Sequence, residues 1–198
     1  MTGFRKFSWL PILTGLVFMC MSCGGNYSPK PRGHFRIDLP EKEYVRFDSA
    51  YPYSFDLPVY STLIPDTGQF AEPWWADVKF PRFRGTLHLS YKPIGERSDL
   101  VAYMEDARTF VHHHIPKATG IREEILGIPE NNVFGIFYEI RGREAASPIQ
   151  FFVTDSTSHF MRGALYFMVT PNNDSLAPVI RFLEQDIRHM IQSLEWNN

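Results

Sequence analysis

An α+β domain, a mainly antiparallel sheet flanked by two amphipathic helices, is the fold class that the sequence predicts, and three observations predict it. Segments rich in β-branched and aromatic residues follow one another from Ile121 to Val169, separated by turn-type residues. Two segments instead carry apolar residues at spacings of three and four: Leu100, Met104, Ala107, Val111 and Ile115, then Leu176, Ile180, Leu183, Ile187, Ile191 and Leu194. The chain also holds 17 Phe, 9 Tyr and 4 Trp, residue types that favour half-buried sheet surfaces. Strands grouped in runs, with a helix after each run, suit segregated α+β layers.

The first 22 residues are expected to be removed. Arg5 and Lys6 precede an apolar run from Phe7 to Met19, and small residues close it, which is the pattern of a secretory signal. The run is too short for a hydrocarbon layer of about 30 Å, which needs about 20 apolar residues. Both cysteines lie here. Cleavage before Cys23 places the small Ser22 at the preceding position, whereas cleavage before Cys20 places Met19 there and leaves Cys23 as a stray thiol in an oxidising compartment. A cysteine so placed resembles the lipobox of bacterial lipoproteins, with Cys23 as the acylated first residue. An ordinary secretory signal cut nearby is the competing reading. Residues 23 to 33 then read as a lipidated tether, in which Gly24 to Arg32, rich in Gly, Pro and Ser, spans at most about 30 Å.

Residues 34 to 198 are expected to form one α+β domain with a single core. Phe35, Ile37 and Leu39 alternate with polar residues, as an edge strand or a laid-down arm ending at Pro40. Tyr53 to Leu57, Trp75 to Phe80 and Thr86 to Lys92 read as strands, the last with Leu87, Leu89 and Tyr91 on one face and His88, Ser90 and Lys92 on the other. The first helix is expected from an Ser98 cap to Ile115, with Pro116 ending it. A meander of Ile121 to Ile128, Val133 to Arg141, Ile149 to Thr154 and His159 to Val169 follows, joined by Asn131-Asn132 and Asp155 to Ser158. Phe134 to Ile140 is apolar on nearly every residue and is expected to be central and covered on both faces. Asn172 to Ser175 should cap the final helix.

The candidate sites are few. His112, His113 and His114 fan out at about 100° per residue on a helix, so they do not converge on one ion without His88 or His159. Asp155, Ser156 and His159 have triad residue types, but adjacency in sequence is turn chemistry rather than the geometry of nucleophilic catalysis, and no Gly-x-Ser-x-Gly elbow is present. Glu105-Asp106 and Glu123-Glu124 diverge on either helix or strand. No phosphate loop or zinc-ligand spacing is found, and no cofactor is expected. The net charge of −2 gives no field that would attract nucleic acid. Lys30, Arg32 and Arg36 are candidates for contact with lipid head groups or a partner, with a plain solvated role as the alternative. Trp74-Trp75 is a candidate aromatic anchor, against the reading in which one ring belongs to the core.

Particular stretches are recognisable: Pro29-Lys30-Pro31-Arg32-Gly33, Arg36 to Tyr44 (RIDLPEKEY), Tyr53-Ser54-Phe55, Leu89 to Lys92 (LSYK), Tyr103 to Arg108 (YMEDAR), Gln150 to Ser156 (QFFVTDS), Arg162 to Phe167 (RGALYF) and Pro171 to Leu176 (PNNDSL). In these blocks the chain resembles the GldD family of gliding-motility lipoproteins of Bacteroidetes, from the lipid cysteine to the final helix. It departs at Ala145 to Pro148, which is less serine-rich, and at Val153, where the family pattern has leucine. The resemblance implies an envelope lipoprotein of gliding motility and the secretion that overlaps with it, acting with other envelope proteins, with acylation carried onto Cys23. It implies no enzymatic activity. Gly24 to Lys30 has no acidic cluster resembling a surface-export signal, so the periplasmic face of the outer membrane is expected, with inner-membrane retention open. The expected fold in turn resembles the Mog1 and PsbP type, which implies the alternative of a small-ligand or lipid-binding periplasmic module.

Overall fold

A computed structural model describes residues 37–197. The expected signal segment, Cys23, the tether, Lys30, Arg32, Phe35 and Arg36 lie outside the described residues. Within them, ten strands and two helices of eight residues or more are arranged as an α+β fold. The strands are β1 (Tyr44–Phe47), β2 (Tyr53–Pro58), β3 (Thr62–Pro65), β4 (Ala76–Phe80), β5 (Gly85–Pro93), β6 (Gly120–Ile128), β7 (Val133–Arg141), β8 (Ile149–Thr154), β9 (His159–Phe167) and β10 (Glu195–Trp196). Helix α1 spans Arg97–His112 and α2 spans Asn173–Gln192. Seven strands form one antiparallel sheet in the order β3-β4-β5-β9-β8-β7-β6, and β1-β2-β10 form a smaller one.

Strand alternation divides the large sheet into two chemically different faces. Leu87, Leu89 and Tyr91 of β5, Met161 and Leu165 of β9, and Ile149, Phe151 and Val153 of β8 point to one side. There they meet Tyr53, Phe55 and Leu57 of β2 and Val179, Phe182, Leu183, Ile187 and Ile191 of α2, which together form the main core. Each such side chain, fully buried, contributes about 1.5–3 kcal/mol. The other face carries a smaller core, in which Ala107 and Val111 of α1 cover Tyr138, Ile140, Phe152 and Phe160. Aromatic richness now has a structural reason. Phe47, Tyr51, Tyr53, Phe55, Tyr91 and Trp74 form a chain of ring contacts with centroids 5.3–5.8 Å apart, linking the small sheet to the large one.

Several expectations are corrected. The centre of the large sheet is β9 and β8, every residue of β8 being buried, while β7 lies next to the edge strand β6. Phe134 on β7 is 38% exposed. The apolar run 134 to 140 arises because Phe137 serves the main core while Tyr138 and Ile140 serve the smaller one; α1 does not extend over Phe134. The tight seat of β8 also explains Gly135, where an added Cβ would stand 1.9 Å from the Phe152 carbonyl oxygen. Residues 37 to 43 form no strand and run as an arm, the second of the two expected readings, with Ile37 against the main core; β1 begins at Tyr44, four residues past the expected end at Pro40.

Helix α1 starts two residues earlier than the Ser98 cap implied. Glu96 is the N-cap, and its side chain and that of Asp99 each accept from the other's backbone N–H in a capping box. The helix ends at His112, a 3-10 turn at Ile115–Lys117 follows, and Met104 and Ile115 are exposed rather than buried. In α2 the expected apolar rhythm holds from Leu176 to Ile191, Leu194 lying just past the helix end, and an acid no apolar pattern reveals sits within its buried face: Asp186. Among the described residues no helix is long and apolar enough to cross a membrane.

Candidate functional site

The two tryptophans separate at the start of β4. Pro73 leads into Trp74, whose backbone sits in the left-handed region at φ 68°, an uncommon conformation for a bulky residue. The Tyr53 hydroxyl donates to the Trp74 carbonyl at 2.7 Å and holds it there. The consequence is that the two indoles part. Trp74 is 46% exposed, its ring edge-on to Tyr51. Trp75 is half-buried, and its Nε1 donates to the Tyr91 carbonyl at 2.9 Å, so the reading with one ring packed in the fold fits Trp75.

Trp75 borders a cavity of about 340 Å³ between α1 and the large sheet. Helix residues Tyr103, Asp106, Ala107 and Phe110, at spacings of three, one and three, share one side of α1 and form one wall. Ser90 and Lys92 of β5 and Phe160 and Arg162 of β9 form the floor. Cross-strand register aligns Ser90 with Arg162 and Arg162 with Phe152, so the arginine lies on the α1 face of the sheet centre. The Lys92 ammonium is already paired with Glu72 at 2.8 Å and lies 5.3 Å from the Tyr103 ring centre.

Arg162 is differently placed. Its Nη2 donates to Gln150 Oε1 at 2.8 Å, and its guanidinium lies 4.4 Å from the Phe110 ring centre. Gln150 is 1% exposed, and its Nε2 and the Arg162 Nε are buried with no hydrogen-bond partner. Burial pulls the Arg162 guanidinium below its ordinary value, against support from the Tyr166 hydroxyl. The same charge reaches His114, whose pKa falls through burial first, then Arg162, then His113. Neither Arg162 nor Gln150 was singled out from the sequence. A lone arginine within an aromatic strand was the available signal.

The other expected sites resolve into structural roles. His112 and His113 are exposed and His114 is half-buried. Among the described residues no group of three or more His, Cys, Asp or Glu is placed to hold a metal. Asp155 accepts from the backbone N–H groups of Thr157, Ser158 and His159 and from the Thr157 hydroxyl at 2.8–2.9 Å, the geometry of a capped turn. Its bond to His159 is to the backbone, and the imidazole Nδ1 meets the Tyr91 hydroxyl at 2.8 Å instead. The His159 ring stacks on Trp196 at 5.1 Å. Those contacts take the histidine away from Ser156. Glu124 is held by Arg188 in a two-point pair at 3.0 and 3.1 Å.

This turn carries a pH dependence. Burial lowers the pKa of His159, with Asp155 opposing, so the unfolded state binds that proton more readily than the folded one. Burial works against ionisation of Asp155, but its four hydrogen bonds outweigh it and hold the carboxyl below its ordinary value. Both shifts are downward. Stability is therefore present above the unfolded values and is lost on acidification, first below about pH 6.5 for histidine and then below about pH 4 for Asp155. Urea midpoints measured from pH 7.5 to 5 should fall for the native protein and fall less for His159→Gln. A residual slope is expected from His114, whose shift has the same sign.

No curated protein matches the chain. Among solved structures, the solution structure of cyanobacterial PsbP (CyanoP) from Synechocystis is similar to it at 11% identity, over 82% of this chain and 97% of that one, with a TM-score of 0.44. The family model for the gliding motility lipoprotein GldD matches residues 24–196, from the residue after Cys23 through β10, and so spans both sheets, both helices and the α1 cavity. The chain belongs to the gliding motility lipoprotein GldD family.

Proposed function

We propose that this protein is an accessory or assembly component of the gliding-motility machinery and its associated secretion, held by lipid on Cys23 at the periplasmic face of the outer membrane and acting through protein contacts. The observation that carries this reading is the family match over residues 24–196, which takes in the whole folded domain. The family is one of envelope lipoproteins involved in gliding motility; the assembly role, the partners and the membrane face are our own reading. The surface chemistry supports contact with proteins. Trp74, Phe110 and Ile125 are exposed, and Ile125 lies on the edge strand β6, whose outer backbone groups face no other strand among the described residues. We assign Lys30, Arg32, Arg36 and Trp74 to partner or head-group contact, while Trp75, whose ring packs into the fold, is left out of that surface.

Crosslinking in intact cells, followed by affinity purification of the tagged protein, tests it. Motility or secretion components of the envelope are expected among the products, and their absence at saturating crosslinker overturns the assembly reading. A second reading, a small-ligand or lipid-binding periplasmic module, is favoured by one observation: the α1 cavity, aromatic-walled and carrying a half-buried cation.

A further inference from the structure

We propose that the α1 cavity binds a carboxylate carried on an apolar body, with Arg162 donating to the carboxylate and Trp75, Tyr103 and Phe110 enclosing the body. This deepens the ligand-binding reading above and is independent of the assembly reading.

The argument starts from a contrast between two arginines. Arg188 lies 4.0 Å from the Phe137 ring centre and has Glu124, Glu139 and Glu184 within 3.7 Å. Arg162 has the same stacking on a phenylalanine, but among the described residues no carboxylate stands within salt-bridge distance of it. A half-buried guanidinium normally has a paired carboxylate, because the planar fork matches two oxygens and desolvation is otherwise uncompensated. Here the place of that carboxylate is a cavity. The His114 pKa, lowered first by burial, is lowered next by the Arg162 charge.

The hydrogen-bond inventory leads to the same ligand. Gln150 Oε1 is committed to Arg162, which fixes the amide orientation and leaves Nε2, like the Arg162 Nε, as a buried donor. Gln150 does not itself line the cavity, so its amide positions the guanidinium, and it is Arg162 that faces the cavity and calls for an acceptor with two oxygens. Lys92 is engaged by Glu72, and Asp106 on the helix wall disfavours a second negative charge. The preferred anion is therefore a monoanion such as a carboxylate, not a phosphate dianion. The walls are aromatic, and about 340 Å³ holds a small molecule or one terminal residue of a chain. A free organic acid and a peptide C-terminus share this chemistry.

The test is calorimetric titration of the full lipoprotein in lipid nanodiscs with 3-phenylpropionate and its primary amide, and with a short peptide ending in Phe as free acid or as C-terminal amide. Saturable binding of an acid, at least tenfold weaker for the matching amide, is expected. Arg162→Gln should abolish it, Arg162→Lys should weaken it about tenfold or more because the fork is lost, and Arg122→Gln should leave it unchanged. Should Arg162→Gln fail to fold, Trp75→Ala replaces it, with at least threefold weakening expected. A preference for the small acid names a free metabolite as the source, and a preference for the peptide names a chain terminus. No saturable binding of either acid, equal binding of acid and amide, or undiminished binding by a folded Arg162→Gln overturns the site, while the crosslinking result stands or falls separately.

Discussion

Asp186→Ala is expected to lower the unfolding free energy by about 3–5 kcal/mol, the cost of breaking a buried ion pair from one side. Asp186 is 1% exposed and sits on the core face of α2. Its Oδ1 receives the Lys42 ammonium at 2.6 Å and the Tyr44 hydroxyl at 3.0 Å, and its Oδ2 receives the Tyr60 hydroxyl at 2.6 Å. Lys42 also donates to the Phe182 carbonyl at 2.7 Å and lies 3.3 Å from the Phe182 ring centre. Removing the carboxylate leaves the Lys42 ammonium with only the Phe182 carbonyl and the Tyr60 hydroxyl, and takes from the Tyr44 and Tyr60 hydroxyls the acceptor they share. Burial, which Asp186 only partly offsets, already lowers the Lys42 pKa, and burial with Asp186 pushes Tyr44 up to about 12. The cluster ties the arm and β1 to α2, so the loss should be local as well as global. Urea unfolding measures the free energy, and limited proteolysis near residues 37 to 43 reads the release of the arm. A loss below about 1 kcal/mol, with the arm still protected, would show that the cluster is not what holds it. The Lys42→Met/Asp186→Leu double variant should recover a large part of the loss, because apolar replacement removes both desolvation penalties.

That cluster marks where sequence reasoning ends. The faces of β5 and the six-residue rhythm of α2 were legible because periodicity is set by local geometry, and alternation along β5 separates Leu87, Leu89 and Tyr91 from His88, Ser90 and Lys92 in the fold as in the string. The four strands of the meander were legible for the same reason. The meander order of those four strands was legible too, but that β5 pairs with β9 was not: β8 is shorter than β7 and its six residues include Gln150 and Thr154, yet it lies deeper, because burial follows from which strands flank it. The small sheet was equally hidden, since β1 and β10 are four and two residues long and pair through β2. At the cavity, Trp75 was visible as a residue type at a strand start. Arg162 and Gln150 were not, because what distinguishes them is the absence of a carboxylate across two strands and a helix, a property of tertiary packing alone.

Cys23→Ser should move the protein from the membrane fraction to the soluble fraction by more than about tenfold, if the proposed acylation at Cys23 holds it. Each buried acyl methylene is worth about 0.8 kcal/mol, and stable anchoring takes more than one chain or a chain plus a basic patch. Without lipid, Lys30, Arg32 and Arg36 remain, each worth about 1 kcal/mol at an anionic surface. That attraction is opposed by a net charge of −2 that becomes more negative once Arg5 and Lys6 are cleaved. Three cations therefore do not replace more than one acyl chain. Cys20→Ser is the matched control: it alters the same segment but leaves Ser22 before Cys23, and membrane retention is expected to be normal. Retention of Cys23→Ser at the native level would overturn lipidation at this position, and a native protein that is itself soluble would favour an ordinary secretory signal. Because the substitution precedes the α+β domain of residues 37–197, the urea midpoint of the soluble variant should equal that of the native domain. Loss of gliding in a folded, soluble protein then isolates location as the lost property: the binding surfaces are intact, and only their concentration at the membrane has changed.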